Sequence, residues 1–139
     1  MRRPKRACVR YTELDELLAS GSIVSLHVPS SAETRHMIGA TQLVRMQQTA
    51  FLINTPRGDL IDEAALREAF IGGRLAGAGL DVVEDEPKEI NPFFDLPQVI
   101  VTPHMAGISV TSAPRAIERA AANIGRFLRG EPVFNVVTG

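Results

Sequence analysis

Arg57, Glu86 and His104 are the residues whose types and spacing could carry out a reaction. An arginine offers a planar fork of donors that can hold a carboxylate by two parallel hydrogen bonds, and it stays charged at any working pH. A glutamate beside a histidine favours the protonated imidazole, which can then act as a general acid toward a carbonyl oxygen. The set therefore indicates proton transfer to a small anionic acid.

Each of the three residues also has an ordinary structural interpretation. Arg57 alone is typical of a solvated charge, Glu86 of an acid in a polar turn, and His104 of a hydrogen-bonded loop residue. Their common position is more specific, because each follows a different apolar run. In open parallel sheets ligands bind outside the carboxyl ends of the strands. Function is therefore inferred from the arrangement and not from any one residue.

Four apolar runs predict the strands that must position these side chains. They are residues 23–28, 50–53, 78–83 and 99–102, and each ends in a proline or a polar turn. Runs this apolar suit strands covered on both faces, and the helical patterns between them are typical of crossover units. The predicted fold class is α/β, a partial Rossmann-like parallel sheet of about four main strands with flanking helices.

The helical segments have recognisable starts and stops. The sequence predicts a helix through Leu14, Leu17 and Leu18 before Gly21, a short one over 41–46, one over 63–71 capped by Asp62, and a long one from Ser112 that buries Ile117, Ala121, Ile124 and Leu128 before Gly130. There is no internal repeat or linker. Residues 1–139 are therefore predicted to form one domain.

Composition excludes several function classes. The chain has 139 residues, 45% of them apolar and 22% charged, with a formal net charge of −1. This balance gives no general attraction to nucleic acid or anionic lipid. The basic start, which contains Arg2, Arg3, Lys5 and Arg6, is short and lacks interleaved aromatic residues, so it is interpreted as a solvated chain end.

Localisation and metal binding are predicted from similar absences. No run approaches the ~18 apolar residues of a membrane span, and the basic start is not followed by the apolar stretch of a signal peptide. Cys8 is the only cysteine, which excludes an internal disulfide or a thiolate metal site. We expect a cytoplasmic protein with no nucleic-acid partner, no membrane contact and no metal.

Three sequence blocks resemble the signature regions of the D-isomer-specific 2-hydroxyacid dehydrogenases. They are Asn-Thr-Pro-Arg-Gly-Asp-Leu-Ile-Asp-Glu from Asn54, Gly-Ala-Gly-Leu-Asp-Val-Val-Glu-Asp-Glu-Pro from Gly77, and Thr-Pro-His-Met-Ala-Gly from Thr102. Ser-Leu-His-Val-Pro from Ser25, with Thr34 following, extends the likeness. The resemblance runs from about Val9 to the end and covers the C-terminal part of that family's NAD-binding domain.

This resemblance implies an activity and a role for each catalytic residue. The activity is NAD(P)H-dependent reduction of a 2-keto acid, or oxidation of a D-2-hydroxy acid. Arg57 would bind the substrate carboxylate and help to polarise its keto group. His104 would give the keto oxygen a proton as hydride arrives from the nicotinamide, and Glu86 would orient His104.

The resemblance also implies a cofactor surface, with NAD or NADP as the cofactor. Asp81 would hydrogen-bond the nicotinamide carboxamide, although a strand-end cap is its alternative interpretation. The implied cofactor-binding residues are Val28, Pro29, Thr34, Thr55, Pro56, Arg57, Asp81, His104, Ala106 and Gly107. Pro56 departs from the small residue common in the family, and it removes a backbone N–H and stiffens the turn before Arg57.

Two parts of the family pattern are missing from the sequence. A glycine-rich turn and an acid after the next strand normally hold the pyrophosphate and the ribose. Gly77-Ala78-Gly79 starts a predicted strand and cannot serve as that turn. The family's separate substrate-binding domain is absent as well. We therefore expect a truncated chain that is inactive or incomplete alone, or alternatively a non-catalytic remnant or interaction module.

The missing first strand has a structural consequence. In the family's sheet order it lies beside the run 23–28, which would then be an open edge strand. Open edges recruit partners or aggregate. The sequence therefore predicts that a second copy, a partner chain or the chain's own residues 7–11 cover this edge.

Overall fold

Four parallel strands form one sheet within residues 10–136, the part of the chain that the computed structural model describes. They are β1 (Ile23–Leu26), β2 (Phe51–Asn54), β3 (Gly77–Leu80) and β4 (Val99–Val101), in the order β1-β2-β3-β4. The register is regular, with Leu26 opposite Asn54 and Asn54 opposite Leu80. The predicted α/β fold with a parallel sheet is confirmed. β1, β3 and β4 end before the last residue of their predicted runs, and β2 ends one residue beyond its run.

The described residues also form four α-helices. They are α1 (Leu14–Ser20), α2 (Ala40–Arg45), α3 (Glu63–Ile71) and α4 (Ser112–Leu128), and a 3-10 turn occupies Gly58–Leu60. Gly21 ends α1 by donating its N–H to the Leu17 carbonyl. The Asp62 carboxylate accepts the Ala65 N–H at 3.0 Å, which confirms the predicted cap of α3.

Replacing the Asp62 cap should measurably destabilise the fold. The Asp62→Ala variant leaves one N-terminal N–H of α3 without its acceptor, which typically costs ~0.5–2 kcal/mol of the free energy of unfolding. Urea unfolding followed by circular dichroism measures the loss. Glu13→Ala is the matched control, because Glu13 precedes α1 without any side-chain cap hydrogen bond. An equal loss in both variants would contradict the capping argument.

The core lies between the sheet and helices α1, α2 and α3. Its fully buried members include Leu18, Leu43, Leu52, Leu66 and Phe93. β3 is buried along its length, as the prediction of strands covered on both faces requires. That prediction is wrong for β1 and β4, since Ile23 is 68% and Ile100 70% exposed, and Phe51 at the start of β2 is also exposed. In the described residues β1 pairs only with β2, so its other edge makes no strand pairing.

Helix α3 also fixes the long segment between β3 and β4. Arg67 donates two hydrogen bonds to the Asp95 carboxylate, at 2.7 and 2.6 Å. These hydrogen bonds hold the pKa of Asp95 below its usual value. Beside them Phe93 is 1% exposed in the core. The segment after β3 is therefore attached to α3 although it contains no regular helix or strand.

The chain divides into two compact units, Met1–His104 and Met105–Gly139. The second contains α4, in which Asn123 makes two 2.9 Å hydrogen bonds with the backbone of Phe134. The prediction that α4 buries its apolar face is wrong for the described residues, since Ile117, Ile124 and Leu128 are 61–78% exposed. Between residues 105 and 136, the described part of this unit, there is no second helix or strand that could cover the face.

Other predictions fall outside the described residues or remain open. Cys8, the basic residues up to Arg6 and most of the segment 7–11 lie among residues 1–9, which are not described. The organisation of residues 1–139 as one domain stays a prediction. None of the helices in residues 10–136 has the length and apolar character that crossing a bilayer requires.

Candidate active site

The three predicted catalytic residues follow three adjacent strands. Arg57 comes three residues after β2, Glu86 lies in the segment after β3, and His104 comes three residues after β4. Because β2, β3 and β4 are parallel neighbours, their carboxyl ends meet at one edge of the sheet. The local reason is the proline or polar turn after each apolar run, which stops the strand and turns the chain outward.

His104 and Glu86 form a direct pair. His104 Nδ1 lies 2.7 Å from Glu86 Oε2, and Glu86 Oε1 accepts the Val83 N–H at 2.5 Å. The His104 side chain is 53% exposed and that of Glu86 is 28% exposed. Since Nδ1 is engaged with the carboxylate, Nε2 is the ring atom through which His104 can exchange a proton with a ligand.

The His104 backbone is fixed by a hydrogen bond of its own. Its N–H donates to the Asp81 carbonyl at 2.8 Å, and its φ is +49°. The left-handed region is uncommon for residues other than glycine and is enriched at sites where the surrounding structure dictates the conformation. The chain therefore bends sharply after Pro103, and this bend places the imidazole beside Glu86.

Arg57 lies at the same sheet edge but does not join the pair. Its guanidinium is exposed and Nη1 donates to the Pro56 carbonyl at 2.6 Å. Within residues 10–136 no salt bridge joins Arg57 to Glu86. The buried Asn54 side chain donates to the Arg57 carbonyl at 2.8 Å, which fixes the turn. The structure thus brings Glu86 and His104 together and leaves the Arg57 side chain available for an external anion.

Gly58 sets the distance between the Arg57 turn and the segment after β3. A Cβ atom built on Gly58 would overlap the carbonyl group of Val83 and the backbone nitrogen of Glu84. Only glycine permits two backbones to approach this closely. From the sequence alone, Gly58 and Asn54 have no predicted role of their own. The signal that could have found them is their place on either side of the charged turn residue.

Asp81 is buried where β3 ends. It is 5% exposed, its carboxylate accepts a hydrogen bond from the Thr102 hydroxyl, and its N–H donates to the Asn54 carbonyl at 2.9 Å. These contacts connect the ends of β2, β3 and β4. They show that Asp81 acts as a strand-end cap, the alternative that its sequence position left open.

The remaining predicted cofactor residues lie at separate places. Val28 and Pro29 follow β1, and the Thr34 hydroxyl donates to the Pro29 carbonyl at 2.7 Å and accepts the Ser31 N–H at 2.8 Å. Thr34 therefore closes this loop with its only hydroxyl hydrogen. Thr55 and Pro56 are half-buried after β2. Ala106 and Gly107 belong to the second unit, Met105–Gly139.

A cleft of about 570 Å³ opens beside the His104–Glu86 pair. Its lining residues are Val83, Glu86, Pro87, Lys88, Asn91, Phe94, Val101, Thr102, Pro103 and His104. Apolar walls with a few convergent polar groups are typical of small-molecule sites. In the described part of the chain, His, Cys, Asp and Glu side chains form no group of three or more that could hold a metal ion.

Comparison with known proteins gives one consistent result. The profile of the D-isomer specific 2-hydroxyacid dehydrogenase, NAD binding domain, matches residues 2–106. A glyoxylate reductase of Korarchaeum cryptofilum is 46% identical over 134 residues, which cover 96% of this chain and 40% of the reductase. The chain spans about two fifths of the length of the curated relatives it matches.

Solved structures show the same likeness. The D-lactate dehydrogenase of Lactobacillus jensenii, solved with NAD+, superposes with a TM-score of 0.85 at 35% identity and covers 93% of this chain and 43% of that one. A D-isomer specific 2-hydroxyacid dehydrogenase of Xanthobacter autotrophicus Py2, solved with NADPH and MES, gives 0.77 at 40% identity, with coverage of 90% and 51%. Both likenesses extend over nearly all of this chain.

Proposed function

Because the chain belongs to the D-isomer specific 2-hydroxyacid dehydrogenase family, with its NAD-binding domain as the matched part, we propose that it serves the NAD(P)H-dependent reduction of a small 2-keto acid. The reverse reaction would oxidise a D-2-hydroxy acid. The observation that carries the proposal is the 2.7 Å contact between His104 Nδ1 and Glu86 Oε2 at the carboxyl edge of the sheet. This contact is what a histidine acting as general acid requires.

Each catalytic residue has a part that follows from its contacts. Glu86 holds Nδ1 of His104 and so fixes the orientation of the imidazole ring. Nε2 of His104 then gives its proton to the keto oxygen, and it takes a proton back in the reverse direction. The exposed guanidinium of Arg57 holds the substrate carboxylate by paired hydrogen bonds. The nicotinamide cofactor, when bound, supplies the hydride.

The residues at the sheet edge fit such a cofactor. The Asp81 carboxylate is an acceptor at the end of β3, which suits the donor groups of a carboxamide. Thr55 and Pro56 after β2, and Val28 and Pro29 after β1, offer half-buried or exposed surface at the same edge of the sheet. We propose a cofactor role for these residues and for Thr34, Ala106 and Gly107. Relatives solved with NAD+ and with NADPH support either cofactor.

Two further features of the protein remain proposals. A second copy or a partner chain would cover the open edge at β1, where Ile23 is 68% exposed. A cytoplasmic location follows from the composition. Size-exclusion chromatography coupled to light scattering tests the first of these, and a monodisperse monomer with rapid amide exchange throughout residues 23–28 would contradict it.

The function is tested by cofactor binding and turnover. Isothermal calorimetry with NADH, and NADH oxidation with glyoxylate, hydroxypyruvate or pyruvate, should both give a signal once a partner chain supplies a glycine-rich turn and a substrate-binding domain. Absence of both would favour the non-catalytic alternative. Since the paired hydrogen bonds to a carboxylate are lost, Arg57→Ala should lower kcat/KM by roughly 10- to 100-fold or more.

The control for Arg57→Ala is Arg74→Ala. Arg74 is an exposed arginine between α3 and the start of β3. It therefore precedes a strand of the sheet, whereas Arg57 follows one. This control should leave kcat/KM unchanged, because charge of the same sign is removed without touching the carboxyl edge. Equal losses in the two variants would show that net charge, and not carboxylate binding by Arg57, explains the effect.

A further inference from the structure

The segment that carries Glu86 has no regular structure of its own. It runs from Val83 to Lys88 between the end of β3 and the proline-rich stretch before β4, and Asp85 within it has a φ of +55°. The close approach of Gly58, together with the contacts of Arg35 and His36 with the Glu84 carboxylate, positions only its beginning. The backbone of this segment must hold one conformation, because the Glu86 carboxylate has to lie within hydrogen-bond distance of His104. Some other group has to fix the rest of the segment.

Glu63 holds both ends of this segment. It is the first residue of α3, and its side chain is only 12% exposed. Its Oε1 accepts the Glu84 N–H at 2.6 Å, and its Oε2 accepts a hydrogen bond from Lys88 Nζ in an ion pair. The Glu63 carboxylate thus accepts hydrogen bonds from two donors, one on each side of Glu86 along the chain, and connects the two parts of the loop. The charge-assisted contacts make this connection stronger than neutral hydrogen bonds would.

The contacts form a continuous chain from α3 to the imidazole. Glu63 holds Glu84 and Lys88, Glu86 lies between them, and its Oε2 meets His104 Nδ1 at 2.7 Å. Asp62 caps the same helix turn, so the Glu63 backbone is fixed as well. We propose that Glu63 is a positioning residue for the general acid: it sets the Glu86 carboxylate so that the His104 ring is held through Nδ1. This role rests on the proposed function.

The test measures the imidazole directly. In the full chain with isotope-labelled histidine, the Nδ1–H proton of His104 should give a low-field nuclear magnetic resonance signal, and Glu86→Gln should remove it and so assign it. Glu63→Ala should abolish this signal or shift it upfield, and Lys88→Met should shift it in the same direction. Glu68→Ala is the control on the exposed side of α3 and should leave the signal unchanged.

Several outcomes decide the proposal. It is overturned if the wild type lacks the signal, or if folded Glu63→Ala keeps the wild-type signal; if Glu63→Ala does not fold, an unchanged signal in Lys88→Met overturns it. Turnover is measured on the same samples, and Glu63→Ala should lower kcat while leaving KM for NADH unchanged. A wild type without turnover or NADH binding, even with a partner chain that supplies the missing parts, refutes the proposed function, whereas the resonance still decides whether Glu63 holds the pair.

Discussion

Replacing His104 with Asn is expected to lower kcat for the 2-keto acid by roughly 100- to 10,000-fold, the usual contribution of a positioned general acid. Asparagine keeps a polar side chain of similar reach but cannot deliver a proton from the Nε2 position. Binding of NADH should change little, because the imidazole contributes one contact among many. Steady-state rates of NADH oxidation with glyoxylate or hydroxypyruvate, together with calorimetric affinity for NADH, measure both quantities.

The chain supplies its own control for this variant. His27 is an exposed histidine after β1, with Nε2 at 2.9 Å from the Ser25 hydroxyl, and it has no contact with the pair. His27→Asn should leave kcat unchanged. Glu86→Gln should also reduce kcat, since it removes the carboxylate that holds Nδ1 and orients the ring. A wild-type rate in His104→Asn would reject the assignment of the general acid.

The second large effect is expected from Gly58→Ala. The added methyl group would overlap the Val83 carbonyl group and the Glu84 nitrogen, so two backbone segments must move apart. Overpacking usually costs ~1–3 kcal/mol, and backbone atoms cannot yield as a flexible side chain can. We therefore expect a loss at or above the top of that range in the free energy of unfolding. Urea denaturation reports it as a lower midpoint.

Gly39→Ala is the matched glycine for comparison. A Cβ there would lie 3.6 Å from the His36 carbonyl oxygen, which is ordinary van der Waals contact, and Gly39 belongs to the same unit as Gly58. Alanine is a poorer N-cap than glycine, so Gly39→Ala should lower the free energy of unfolding slightly. We expect this loss to be no more than about 1 kcal/mol. Similar midpoints for the two variants would mean that the Gly58 turn and the segment after β3 do not approach as closely as described.

Much of the framework was predictable from local sequence signals. The apolar runs ended at prolines or polar turns, and the strands were found there with their carboxyl ends at one edge. Asp62 before α3 and Gly21 after α1 gave the helix boundaries, since caps depend on residues within one turn of each other. Glu86 and His104 were expected to pair, and their ring and carboxylate do meet. The catalytic and cofactor roles of the site residues stay predictions.

The sequence by itself therefore determined the order and kind of elements, the sheet edge that carries the charged residues, and the family. Only the tertiary structure decided that the Glu63 carboxylate accepts hydrogen bonds from Glu84 and Lys88, which lie 21 and 25 residues further along the chain. The same holds for the close approach of Gly58 to Val83. The tertiary structure also decided that Ile23 on β1 and the apolar face of α4 are exposed. The physical reason is the separation along the chain over which each kind of interaction acts. Periodicity and caps report on neighbours along the chain, whereas close approaches and burial depend on which distant segments the folded chain brings together.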